Sequence, residues 1–296
     1  MKYYCFKFLP FLWLISTFPV LAGEMIKRSI LVPDSEKLYI EITRGFVKVE
    51  GWEGSEISLQ GELDDTIKEI IFKNKGSKTL IKAVITEADH WGDESVIKVF
   101  VPTTTRVYFR GVNTSFNLNN LPSGANGSTI SGDVKIKNVH SMVKVNSMSG
   151  NIFVEKSSGD AELESVSGEI SLSGSFTNTL AKSMSGNIAI NISDNEKLSI
   201  KNISGDTRIS GSIKNGAFVE LSSVNGDIEY DVEGQLNAQC ELETKFGGKI
   251  TNGVTADLPK ESMLNKKTLS FESGDGSGQL LMSTVTGSIT INRKDQ

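Results

Sequence analysis

The sequence predicts an all-β protein, a single-chain β-solenoid (β-helix) with turns of about 18–22 residues, and three observations predict it. A Ser-Gly-Asp/Asn/Glu unit recurs, and its glycines Gly132, Gly150, Gly168, Gly186, Gly205 and Gly226 lie 18, 18, 18, 19 and 21 residues apart, with a late copy at Gly287. Behind the glycines, apolar residues stand at the second and fourth positions, as in Ile152 and Val154 or Ile188 and Ile190, with Thr207 after Gly205 the exception. Alternation at period two turns such a pair to one side of a strand. Finally, the 296 residues include 28 Gly with many Ser and Asn, which favours short strands and tight turns over helices.

The first segment, 1–22, reads as a signal peptide. Lys2 and Lys7 accompany an apolar run from Phe8 to Ala22 broken by Pro10 and Pro19, and Val20-Leu21-Ala22 supplies small residues for cleavage. The run is shorter than the roughly 20 residues a spanning helix needs. Gly23, not Cys, follows the cleavage site, which removes the lipid-anchored reading. The mature chain then carries no transmembrane segment and is expected in the periplasm or at the cell surface. Its one thiol, Cys240, leaves no intramolecular disulfide and reads as a small core residue.

Residues 23–125 form the second segment, strand-rich but irregular. Leu38–Ile42, Phe46–Val49, Glu56–Leu59 and Val96–Phe100 alternate, and Ile67 to Thr86 reads as a hairpin around Asn74-Lys75-Gly76-Ser77. The expected role is a cap and first turns of the solenoid, because an open sheet end invites further pairing; a separate small β-domain is the alternative. Residues 126–296 form the repeat. An extra Ser158-Gly159-Asp160 midway between Gly150 and Gly168 gives each turn two halves, and second strands such as Val143–Val145, Leu198–Ile200 and Val219–Leu221 fill the other half. Met148, Ile203, Val224 and Val285 stand just before their turns. Glycine at the corner is expected to supply φ > 0, while Ser, Asp or Asn bonds the local backbone. The segment 252–278, with Pro259 and the loop Gly274-Asp275-Gly276-Ser277-Gly278, reads as an insertion of one irregular turn.

These features together resemble the bacterial putative-adhesin family, a domain-of-unknown-function family of exported β-repeat proteins. The residues that carry the likeness are Val49-Glu50-Gly51-Trp52 leading into Glu56–Gly61, the strand end Val99-Phe100-Val101-Pro102, the repeated turns, and the Gly-rich loop before Leu280–Ile289. The resemblance implies a β-solenoid and brings no catalytic residues and no cofactor.

Convergent titratable groups are scarce. His90, among Asp89, Trp91, Asp93 and Glu94, is a weak metal or sugar candidate, and an acidic surface loop is the simpler reading. The column after the glycines, Asp133, Asn151, Glu169, Asn187, Asp206 and Asp227, would line one edge about 4.8 Å apart, a conceivable Ca²⁺ or glycan surface. Asp275 belongs to a single partial echo of a calcium-binding repeat. The plainer reading of the column is that each residue serves its turn. Outward residues between the inward pairs, Lys135, Phe153, Ser171, Ala189, Arg208, Glu229 and Thr290, form neither an aromatic stripe nor a basic ladder. With a net charge of −5 and a pI near 5.3, nucleic acid is not an expected partner. The expectation is an exported, non-enzymatic structural or binding protein of the bacterial envelope, its partner an envelope or surface protein or a glycan. A β-helix enzyme acting on polysaccharide and a Ca²⁺-dependent binding module are the alternatives.

Overall fold

A computed structural model of the chain describes residues 24–63, 67–85 and 95–294; the segment read as a signal peptide lies outside them. The strands form one hydrogen-bonded network. β1 (Glu24–Leu31), β2 (Lys37–Trp52), β3 (Glu56–Leu63), β4 (Ile67–Asn74), β5 (Lys78–Ile85), β6 (Val96–Pro102) and β7 (Arg106–Asn119) precede the regular repeat. The repeat comprises β8 (Ala125–Thr129), β9 (Val134–Lys137), β10 (Met142–Ser147), β11 (Ile152–Ser165), β12 (Ile170–Ser183), β13 (Ile188–Ser204), β14 (Thr207–Asn225) and β15 (Ile228–Glu233). β16 (Ala238–Thr244), β17 (Ile250–Gly253), β18 (Lys260–Glu261), a 3-10 turn at Met263–Asn265, β19 (Lys267–Ser273), β20 (Gly278–Thr284) and β21 (Ile289–Lys294) complete the chain. Among the described residues no helix is long and apolar enough to cross a membrane.

Each turn lays one stretch of strand on each of two faces, and equivalent stretches pair in parallel and in register. On the first face Ile136, Val154, Leu172, Ile190, Ile209, Tyr230 and Ile291 are successive partners. On the second face the same holds for Val145, Leu163, Ala181, Ile200, Leu221 and Met282. Every one of these residues is buried. The period-two alternation therefore makes two apolar columns that meet between the faces. A single turn could not bury its apolar side; neighbours above and below supply the rest. The irregular region belongs to the same stack, because β2 pairs along its length with β7, and β7 with β8 and β9. The expected hairpin appears as β4 antiparallel to β5, closed by Lys75 N donating to Lys78 O at 2.8 Å.

Chain order and stack order part company at both ends. The first face runs β14, β15, β21, β17, and the second runs β14, β20, β16, β19. The last turn in sequence, β20–β21, is thus inserted between two earlier ones. The amino-terminal end mirrors this: β2 lies between the β5–β6 turn and β7. The segment 252–278 is accordingly not an irregular turn inside the stack. It leaves β17 and returns as β19, antiparallel to β16, with only the two-residue β18 beyond it. β1, β3 and β4 close the opposite end by antiparallel pairing. The outermost β18 is short and charged, which suits an edge that must not recruit another strand.

Candidate binding surface

The glycine corner is a structural device. A Cβ added to Gly150, Gly168, Gly186, Gly226 or Gly287 would lie 1.9–2.0 Å from the carbonyl oxygen of the glycine one turn below. Contact, not backbone conformation, therefore selects glycine at these five positions, contrary to the expectation of φ > 0; only Gly132 and Gly205 have φ of 115° and 125°. The column continues at Gly248, which packs the same way on Gly287 but lacks the Ser-Gly-Asp signal. A buried hydroxyl three residues earlier completes the corner. Ser147, Ser165, Ser183 and Thr284 accept hydrogen bonds from the amides of Gly150, Gly168, Gly186 and Gly287 at 2.8–3.1 Å.

The acidic and amide column serves the same corner. Asp133 Oδ1 accepts from Asn151 N at 3.0 Å, Asn151 Oδ1 from Glu169 N at 2.9 Å, and Asn187 Oδ1 from Asp206 N at 2.9 Å. Asp206 and Asp227 cap Asp227 N and Ser288 N at 3.2 and 2.8 Å. Asp133, Asn151, Asn187, Asp206 and Asp227 thus each satisfy a backbone donor of the next turn, while Glu169, the remaining member of the column, is exposed. Among the described residues no three His, Cys, Asp or Glu side chains are grouped to hold a metal ion.

The outer side of the second face is different. Its outward residues fall into rows along the stack, one of which reads Leu80, Tyr39, Tyr108, Asn126, Lys144 and Glu162, and a neighbouring one Lys82, Glu41, Arg110, Ser128 and Asn146. Tyr39 and Tyr108 stack with ring centroids 4.9 Å apart and planes within 11°. The stack ends at Tyr108, because the next residue in the row is Asn126. A depression of about 350 Å³ results, lined by Tyr39, Glu41, Tyr108, Arg110, Asn126 and Asn146. Lys82 pairs with Glu41 at 3.0 Å. Asn146 Oδ1 is shielded from solvent and accepts no hydrogen bond among the described residues. Farther along, past the Lys144–Glu162 pair at 2.7 Å, a second depression of about 510 Å³ includes Met142, Leu180 and Phe218 with Asn178 and Lys197. Flat aromatic surface beside amides, a hydroxyl and a guanidinium suits a ligand with both apolar and hydroxylated sides.

Comparison with protein families matches residues 93–256 to Toastrack DUF4097. The chain belongs to that family. The match covers the regular turns and stops before the inserted turn β20–β21. Solved structures similar to this Toastrack chain include a putative adhesin from Bacteroides fragilis NCTC 9343, 16% identical over 90% of this chain and 97% of that one, with a TM-score of 0.42. A putative lipid binding protein from Parabacteroides distasonis ATCC 8503 is 15% identical over 92% and 98%, with a TM-score of 0.48. A putative adhesin from Parabacteroides merdae ATCC 43184 is 12% identical over 92% and 97%, at 0.34. Among curated proteins none matches.

Among the described residues the remaining sequence candidates lie apart from this surface. His90 and its acidic neighbours lie outside the described residues. Asp275 sits in the β19–β20 connection, where Oδ1 accepts from Ser277 N at 3.0 Å; its hydrogen bonds from the Ser277 side chain and backbone hold its carboxyl below the usual range. The other histidine, His140, lies at a corner between turns, with Nδ1 3.1 Å from Ser158 Oγ. Cys240 is buried in the core, and that burial pushes its thiol up to about 12. The Tyr39–Tyr108 surface was missed because the outward rows were read only behind the glycines, on the first face. The alternation in Leu38–Ile42 and Val107–Phe109 was the signal that could have found it.

Proposed function

We propose that this protein is an exported, non-enzymatic binding protein of the bacterial envelope that takes a glycan on the outer side of its second face. The observation that carries this reading is the end of the Tyr39–Tyr108 stack over Asn126, with Arg110, Ser128 and Asn146 beside it in one concave patch. A tyrosine ring offers a sugar an apolar surface at small entropic cost, and the surrounding amides and guanidinium supply directional donors. The non-enzymatic part of the reading is supported by how the acids are used: the corner carboxylates cap backbone amides, and the buried Cys240 thiol is held far from thiolate formation.

The test is an array of bacterial surface oligosaccharides and peptidoglycan fragments probed with the wild-type protein and with Tyr108→Ala and Arg110→Ala. Binding by the wild type that falls at least about tenfold in both variants, a difference of roughly 1.4 kcal/mol, with melting behaviour unchanged, supports the proposal. Absence of wild-type binding, equal binding by Tyr108→Ala, or turnover of a bound oligosaccharide overturns it.

A further inference from the structure

The corner that holds the glycine column also holds an exposed apolar column two residues earlier. Ile130, Met148, Val166, Met184, Ile203 and Val224 are 45, 53, 39, 51, 45 and 39% exposed. Strand register and backbone hydrogen bonds place them directly above one another. The column starts at Val112 and is extended through Val285 of the inserted turn, beyond which Lys245 takes the next level. Eight successive levels at about 4.8 Å make an apolar ridge roughly 34 Å long. Nothing inside the corner uses these side chains, since the inward positions belong to the glycine and the hydroxyl that caps it. Apolar residues scattered singly on a surface need no explanation, but a continuous ridge marks an interaction site.

We propose that this ridge is a homodimer interface, occupied by the same ridge of a second copy of the chain, the two stacks running parallel about a two-fold axis along their length. The repeat distance favours this occupant. A second copy matches the ridge level for level over its whole length, whereas the seam of an α-helix repeats at about 5.2 Å and drifts roughly 3 Å out of step over the same span. Charge favours it too. The row between the ridge and the acidic column, which includes Ser149, Ser167, Ser185 and Ser204, is uncharged, so two ridges can meet without burying an unpaired charge. Asp133, Glu169, Asp206 and Asp227 on one flank disfavour an anionic lipid surface, while the other flank carries Glu164, Lys182 and Lys201, with Lys182 paired to Glu164 at 2.8 Å and Lys201 to Glu220 at 3.9 Å. A parallel two-fold arrangement sets the acidic flank of one copy beside those lysines of the other.

Sedimentation velocity tests this with the wild type, Met148→Asp/Met184→Asp, and a control of equal added charge on the first face, Ser171→Asp/Ala189→Asp. The expected result is a wild-type dimer, a control dimer, and a Met148→Asp/Met184→Asp monomer whose dissociation constant has risen roughly a hundredfold or more with its thermal melt retained. Both substituted methionines are exposed, so the folded monomer is preserved. A wild type that is monomeric, that forms open-ended assemblies, or that binds zwitterionic vesicles as a monomer overturns the proposal. So does a dimer that survives in Met148→Asp/Met184→Asp.

Discussion

Replacing Gly168 by alanine adds one methyl group where the fold leaves no room for one. The new Cβ would stand 2.0 Å from Gly150 O, 2.6 Å from Gly150 C and 3.1 Å from Asn151 N, all backbone atoms of the turn below. Restoring ordinary contact to the carbonyl requires the two turns to part locally by about 1.2 Å. That displacement takes three bonds across the corner beyond hydrogen-bonding range: Ser167 N to Met148 O at 2.9 Å, Ile152 N to Glu169 O at 2.8 Å and Glu169 N to Asn151 Oδ1 at 2.9 Å. At about 1 kcal/mol each, with a smaller cost for disturbed packing, the loss is on the order of 3–4 kcal/mol. Alanine returns about 0.4–1 kcal/mol by restricting the unfolded chain. The net expectation is about 3 kcal/mol, or a midpoint lowered by roughly 6–12 °C for a chain of this size, read by calorimetry or circular dichroism. Gly76→Asn is the contrast: Gly76 has φ +66° and nothing within 4 Å of an added Cβ, and asparagine tolerates that conformation. Its midpoint should stay close to wild type. A Gly168→Ala protein that melts with the wild type would refute the contact argument.

Two further outcomes follow from the described geometry. Deleting 278–294 removes β20 and β21, which are the link between β14–β15 and β16–β17; limited proteolysis should then cut within 234–277 while 106–225 stays protected, and full-length protection of 234–277 would contradict the insertion. Glu36 is buried, and burial raises its carboxyl above the usual range although Thr79 and Asn74 donate to Oε1. A raised folded-state value means the proton is bound more tightly on folding, so wild-type stability falls as pH rises from the unfolded value through the folded one. The stability of Glu36→Gln relative to wild type should therefore improve from pH 4.5 to pH 7 in denaturant titrations, and a pH-independent difference would refute the assignment.

The repeat was legible because its interactions are nearly local. A partner one turn away is 18 to 21 residues distant, so the spacing of Gly132 through Gly226 and the Ile and Val pairs behind them carry period, inward face and parallel register together. The reason for each glycine was not legible, since a positive φ and a carbonyl at 2.0 Å select the same residue; the structure assigns contact to Gly150, Gly168, Gly186, Gly226 and Gly287. Nor could the acidic column be separated from a ligand site until its oxygens were seen to accept the next turn's amides.

What the sequence by itself determined is the solenoid, the positions of its corners and its inward columns. Only the tertiary structure decided how the ends are closed and what the surface presents. Ile228 pairs with Ile289 of the inserted turn, and Tyr39 stacks on Tyr108 through the pairing of β2 with β7. Met148 and Ile203, visible as apolar residues before a turn, become part of a ridge only when the turns are stacked. In each case the physical reason is the same. Periodicity reports neighbours one turn apart, whereas strand insertion and outward rows depend on which turns the backbone hydrogen bonds finally place side by side.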